Sequence, residues 1–136
     1  MIYAVIDTNV IVASLLTRNH DSATARVMNA VYSGAITPLV CDAILAEYDE
    51  VLHRPRLKLD AAKCDYILSL VCDRAKPVVP IHTEAAMPDE DDRVFFEVAL
   101  AGQDDFDSRL VTGNIKDYPK AAFVVTPAEF CDLLGI

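Results

Sequence analysis

Strand-like and helix-like segments alternate along the whole chain, which predicts an α/β fold with helices packed around a mainly parallel sheet. Three observations carry this expectation. The first run, Ile2-Tyr3-Ala4-Val5-Ile6, is continuously apolar, as a strand buried on both faces should be. The stretches between such runs have helical length and helical spacing of apolar residues. Gly34, Pro55 and Gly135 stand at the ends of those stretches, where chain-breaking residues belong.

Taken in order, the strand ends at Asp7, and Asn9 to Leu16 continues apolar as a helix. Asp21 or Ser22 caps a second helix from Ala23 to Tyr32, stopped by Gly34. Ile36 to Cys41 returns to strand character, and Asp42 caps a helix that Pro55 ends. Asp60 opens a fourth helix, in which Ala61, Cys64, Ile67, Leu68, Val71 and Cys72 keep helical spacing. Val78-Val79-Pro80-Ile81 reads as a short strand near an edge, because prolines at 77 and 80 cannot donate to a ladder. The acidic run from Asp89 leads into a helix ending at Ala101. Arg109 to Thr112 and Phe123 to Val125 read as strands, and Pro127 sits at the first position of a last helix ending at Gly135.

With 136 residues, the chain is expected to form one domain over residues 1–136, large enough to bury a core without staples. Hydrophobic residues make up 53 %, which excludes an intrinsically disordered chain. The formal charge of −9 argues at first against a nucleic-acid partner. Its distribution changes that reading. Residues 84–107 hold nine acids against the single base Arg93, so this segment carries −8 and the remainder of the chain only −1. Cys41, Cys64, Cys72 and Cys131 form no C-x-x-C pair, which points to reduced thiols rather than a zinc or redox motif. No apolar run is long enough to span a membrane and the N-terminus lacks a signal-peptide pattern, so a soluble cytoplasmic protein is expected.

Ligand sites in open α/β sheets form at the carboxyl ends of the strands. Asp7 and the run Thr112-Gly113-Asn114 with Asp117 fall at such ends. A carboxylate closing a buried strand is costly unless it is paired, hydrogen-bonded or cation-bound, although Asp7 could instead cap the following helix. In the helix after Asp42, the apolar stripe is formed by Ile44, Leu45, Tyr48, Val51 and Leu52. Glu47 and Asp49 lie at its two borders, which geometry alone does not separate, and Glu50 faces away. Four successive acids at 89–92 repel one another more than helix capping explains, so a bound cation accounts for them better. On a helical wheel Asp92 borders the stripe of Val94, Phe95, Val98 and Ala101, with Asp91 closer to it. Carboxylates without His or Cys suit Mg²⁺ or Mn²⁺ rather than zinc. His20, His53 and His82 lie outside these clusters and read as ordinary histidines.

Four motifs in order carry a family resemblance: Asp7-Thr8-Asn9 after the first strand, Glu47 to Pro55 (EYDEVLHRP), Asp89 to Ala99 (DEDDRVFFEVA) and Leu110 to Asp117 (LVTGNIKD). Together with the closing Thr126 to Phe130, they resemble the PIN-domain ribonucleases, and within these the toxin components of bacterial and archaeal toxin–antitoxin modules. The resemblance implies a three-layer α/β/α fold with a twisted, mainly parallel sheet. It implies Mg²⁺- or Mn²⁺-dependent cleavage of single-stranded RNA, with an antitoxin protein and a second copy of the chain as partners. Carried over by position, the first metal-binding acid is Asp7, the second Glu47 and the third Asp92, with Asp89 and Asp91 as alternatives if the acidic run is slid. The fourth motif covers Asn114 and Asp117. Family members often have Asp where this chain has Asn114, which leaves the fourth place to Asp117 or a water-mediated contact. Asn9 and Thr112 match positions that orient the acids or bind phosphate.

Arg54, Arg56 and Lys58 at the end of the Glu47 helix are the expected RNA contacts, although they would also complement the helix dipole. Three other readings compete. An aspartyl-nucleophile phosphatase needs a second acid where Asn9 stands, and a receiver-type domain needs paired acids that Tyr3-Ala4-Val5-Ile6 does not supply. A catalytically degenerate PIN fold acting as a binding module is favoured only by Asn114. The Asp104-Asp105-Asp107 cluster is expected in an exposed turn.

Overall fold

The computed structural model describes residues 1–136. Five strands form one sheet: β1 (Ile2–Ile6), β2 (Ile36–Val40), β3 (Lys76–Pro77), β4 (Arg109–Val111) and β5 (Val124–Val125). Their order is β3-β2-β1-β4-β5 and every pairing is parallel. Six helices connect them: α1 (Thr8–Leu16), α2 (Ala23–Ser33), α3 (Asp42–Leu52), α4 (Ala61–Arg74), α5 (Arg93–Phe106) and α6 (Pro127–Leu134).

The layers follow from connectivity. The chain steps outward from β1 to β2 to β3 through α1–α2 and then α3–α4, and α5 carries it back across to β4 on the other side of β1. Parallel crossovers are right-handed, so reversing the direction of travel places α5 on the opposite face. Accordingly α5 packs on β1, β2 and β4, while α2 packs on β2 with α1, α4 and α6 around it. The result is a three-layer α/β/α fold. The strand order reverses at β1 and β4, and their carboxyl ends therefore flank the crevice of a switch point. Ala4, Val5, Leu110 and Val111 are wholly buried there, as strands covered on both faces require.

Local sequence explains most element ends. Ser22 caps α2 by accepting from the Ala25 N–H at 3.3 Å. Asp60 caps α4 in the same way, and Thr126 with Glu129 forms a reciprocal capping box on α6. Gly34 ends α2 at φ +87°, a conformation that costs glycine nothing.

Four expectations are corrected. Asp42 is the first residue of α3, and Cys41 holds the cap position. The strand expected at Val78–Ile81 lies at Lys76–Pro77 instead: the ladder gains one more bond, Val78 N–H to the Val40 carbonyl at 2.8 Å, and then leaves the sheet. Pro80 has no N–H to extend it, and the Ile81 N–H turns to the Glu97 carbonyl at 3.1 Å. Helix α5 runs past Ala101 to Phe106, whose ring meets Tyr3 with centroids 4.4 Å apart. Gly102 permits the continuation, because a Cβ there would stand 2.4 Å from Ser108 Oγ and 2.7 Å from Leu39 Cδ1. Asp104 and Asp105 consequently lie in the last turn of α5, and Asp107 ends it at φ +49°.

Candidate active site

Asp7 stands where β1 meets α1, and its own N–H is tied to the Val111 carbonyl of β4 at 2.9 Å. Although it holds the cap position of α1, its side chain makes no capping hydrogen bond. The carboxylate points across the switch point instead. Thr112 Oγ1 donates to Asp7 Oδ2 at 2.9 Å and the Tyr118 hydroxyl donates to the same oxygen at 2.8 Å. Asp7 is only 5 % exposed. Burial pushes its carboxyl above the ordinary range, the two hydroxyl bonds pull it back, and Asp117 adds repulsion.

Glu47 reaches the same place from α3. Tyr48 is fully buried and donates its hydroxyl to the Ile6 carbonyl, which pins α3 to the end of β1. The preceding residue is thereby presented to Thr8, whose hydroxyl donates to Glu47 Oε2 at 2.6 Å. Half-burial raises the Glu47 carboxyl, with Asp7 and Asp91 adding like-charge repulsion.

At the entrance to α5, Asp89 is exposed and caps the Asp91 N–H at 3.0 Å. Glu90 is neutralised by Arg93 through two bonds of 2.7 Å. The helical wheel put Asp91 nearer the apolar stripe than Asp92, and the structure reverses this: Asp91 is exposed and Asp92 half-buried. Residues Glu90–Asp92 form a 3₁₀ turn, so α-helical spacing does not apply to them. The Asp92 side chain has no hydrogen-bond partner. Burial first, then Asp7, Asp89, Glu47 and Asp117, push its carboxyl up to about 7.

Beyond β4, Asn114 accepts from the Lys116 N–H at 3.2 Å and donates to Asp117 Oδ1 at 3.0 Å. It caps the 3₁₀ turn Ile115–Asp117 and holds the acid. Asn9 accepts from the Gly113 N–H at 3.0 Å and donates weakly to Thr112 Oγ1 at 3.4 Å, joining the ends of β1 and β4. Thus Asp7, Glu47, Asp92 and Asp117 are gathered around one switch point from four separate segments.

Two features escaped the sequence. Tyr118, 5 % exposed and kept protonated by burial and by Asp7 and Asp92, had no motif to announce it. The second is a tighter group elsewhere. Asp49, His53 and Asp65 place one potential ligand atom each within 4.8 Å of the others, between α3 and α4. His53 Nε2 lies 2.8 Å from Asp65 Oδ1, and Nδ1 lies 2.7 Å from the Asp49 carbonyl oxygen. The two acids flanking Tyr48 on α3 therefore separate: Glu47 faces Thr8 and Asp49 faces His53.

Of the basic residues, Arg54 is clamped by Glu50 through bonds of 3.0 and 2.8 Å, while Arg56 and Lys58 are exposed without an ion pair. No helix is long and apolar enough to cross a membrane.

An all-parallel α/β/α sheet with acids gathered at its switch point defines a class of domain that binds its ligand at the strands' carboxyl ends. Residues 3–116 match the family model described as PIN domain, and the chain belongs to the PIN-domain family, whose members are generally nucleases. No curated protein and no solved structure matches the chain.

Proposed function

We propose that the protein is a divalent-metal-dependent ribonuclease that cleaves phosphodiester bonds of single-stranded RNA, with Asp7, Glu47, Asp92 and Asp117 as its metal-binding and catalytic acids. One observation carries the reading. Four carboxylates converge without a single cationic side chain paired to them, and burial, reinforced by its acidic neighbours, pushes Asp92 up to about 7. Crowded oxygen donors of this kind fit a hard cation such as Mg²⁺ or Mn²⁺. When bound, the ion supplies a Lewis acid for the phosphoryl oxygens and lowers the pKa of water.

The chain's own residues do the positioning. Thr112 and Tyr118 hold Asp7 Oδ2 and leave Oδ1 without a side-chain donor, Thr8 fixes one oxygen of Glu47, and Asn114 fixes Asp117. Attack by water on phosphorus requires a proton acceptor, and the leaving ribose oxygen requires a proton. Asp92, free of hydrogen bonds, is the carboxylate suited to take the proton from the attacking water as the new phosphorus–oxygen bond forms, and solvent water supplies the proton to the leaving ribose oxygen as the old bond breaks. The motif resemblance further supports a toxin role, with an antitoxin and a homodimer as the partners.

The test uses unstructured RNA with Mn²⁺, with chelator, and with an Asp7→Asn, Asp92→Asn double variant. Cleavage by the wild type in Mn²⁺ alone is expected. Cleavage that persists in chelator or in the variant contradicts the proposal, and a folded wild type inert on RNA favours the degenerate binding module.

A further inference from the structure

Beside the acids lies a cavity of about 260 Å³ that the motifs do not explain. Ile115, Pro119, Ala121 and Val124 line it with apolar surface, and Lys116 and Lys120 complete it together with Tyr118. Tyr118 is shared: its hydroxyl is on Asp7 and its side chain lines the cavity, so the cavity and the acid cluster adjoin. No acid lines it. Neither lysine makes an ion pair or a side-chain hydrogen bond, whereas Arg54, Arg93 and Arg109 are each committed to a carboxylate. Ile115 is 44 % exposed. On a chain of net charge −9, two free lysines flanking an apolar floor next to a phosphodiester-cleaving site offset the repulsion that RNA meets from the adjoining acids.

We infer that this cavity is the subsite for the substrate strand, taking a nucleobase on the Ile115–Pro119–Val124 floor while Lys116 and Lys120 contact the adjoining phosphates. The inference rests on the ribonuclease reading and assigns the strand's course within it, away from Arg54, Arg56 and Lys58. The floor offers no side-chain hydrogen-bonding group other than the buried Tyr118 hydroxyl, already given to Asp7. The subsite therefore accepts any base. Its contribution is electrostatic and apolar rather than sequence-reading.

The test measures binding of a short labelled oligouridylate by fluorescence anisotropy, at fixed Mg²⁺ and varied KCl. Wild type is compared with Lys116→Gln/Lys120→Gln and with Arg56→Gln/Lys58→Gln. Each phosphate contact to a single strand contributes about 0.7 to the slope of log affinity against log salt. Loss of two contacts should make the slope shallower by about 1.4 and weaken binding about tenfold or more near 0.1 M salt. The Arg56/Lys58 variant should lose less affinity and less slope than the Lys116/Lys120 variant. Photocrosslinking of 4-thiouridine RNA to the wild type provides a second readout that needs no variant, with crosslinks expected within residues 115–124. Unchanged affinity and slope in the Lys116/Lys120 variant, or crosslinks confined to residues 54–58, would overturn the assignment. RNA bound in the cavity but never cleaved would refute the nuclease reading and leave the subsite standing. Cleavage with an unaltered KM in the Lys116/Lys120 variant would do the reverse.

Discussion

Glu47 and Asp49 stand two residues apart on α3, yet their surroundings differ in kind. Asp49, His53 and Asp65 form the tighter group, with ligand atoms within 4.8 Å of one another. Both acids there are exposed, and both ring nitrogens of His53 already have partners, which raises the imidazole above its usual value. Such a group is satisfied by its own members and by water. Glu47 belongs to a wider group whose carboxylates are buried or half-buried, carry like charge and have no cation among the side chains. Asp7 and Glu47 are raised by burial, and Asp92 is raised to about 7. On the proposed metal-binding reading, the contrast teaches that closeness of ligand atoms is a poor guide to where an ion is needed. An unrelieved excess of buried negative charge is the better one.

The largest effect that could break this comparison comes from removing one of those charges. Asp92→Asn should reduce RNA cleavage by about 10²-fold or more, the scale of losing one electrostatic group from such a site. The same change should raise the melting temperature of the metal-free protein, because it removes repulsion. A variant that loses both activity and stability would show Asp92 to be a structural anchor instead.

Next in size are the groups that aim Asp7. Tyr118→Phe and Thr112→Val each remove one donor from Asp7 Oδ2 and should lower activity about 10- to 100-fold, as loss of an outer-shell partner does. Apparent Mn²⁺ affinity, measured alongside, should fall with them.

A smaller effect is the pH dependence of the metal-free fold. The folded protein holds the Asp92 proton more tightly than the unfolded chain, whose carboxyl titrates near its ordinary 3.8. Folding is therefore favoured as pH falls through about 7, and the gain is complete once the unfolded chain is also protonated. Thermal melts from pH 8 down to about 5 should rise, and saturating Mn²⁺ should flatten the trend by raising the high-pH end most. A metal-free melting temperature that is constant or falls over this interval would count against charge crowding at the site.

Much of the fold was legible because β1 is a continuous apolar run, β2 and β4 are short and mostly apolar, and Ser22, Asp60 and Pro127 are local signals of helix starts. Asp7 was legible for the same reason: a carboxylate closing a buried strand has few inexpensive explanations. What failed depended on contacts distant in sequence or on non-α geometry. The length of α5 is explained by Phe106 meeting Tyr3 and by Gly102 clearing Leu39. The order of Asp91 and Asp92 reversed because a 3₁₀ turn replaced the assumed α-helix. Tyr118 bonds a residue 111 positions away, and His53 joins α3 to α4, so neither carries a local signature. Asn114, read as a replaced ligand, serves as a cap that holds Asp117.

The most direct test of the central claim is calorimetric titration of Mn²⁺ into the wild type, Asp92→Asn and Asp65→Asn at neutral pH. Crowded charge at the switch point predicts strong weakening in Asp92→Asn and an unchanged isotherm in Asp65→Asn. Binding that survives Asp92→Asn and disappears with Asp65→Asn would place the ion at the Asp49–His53–Asp65 group and contradict the account.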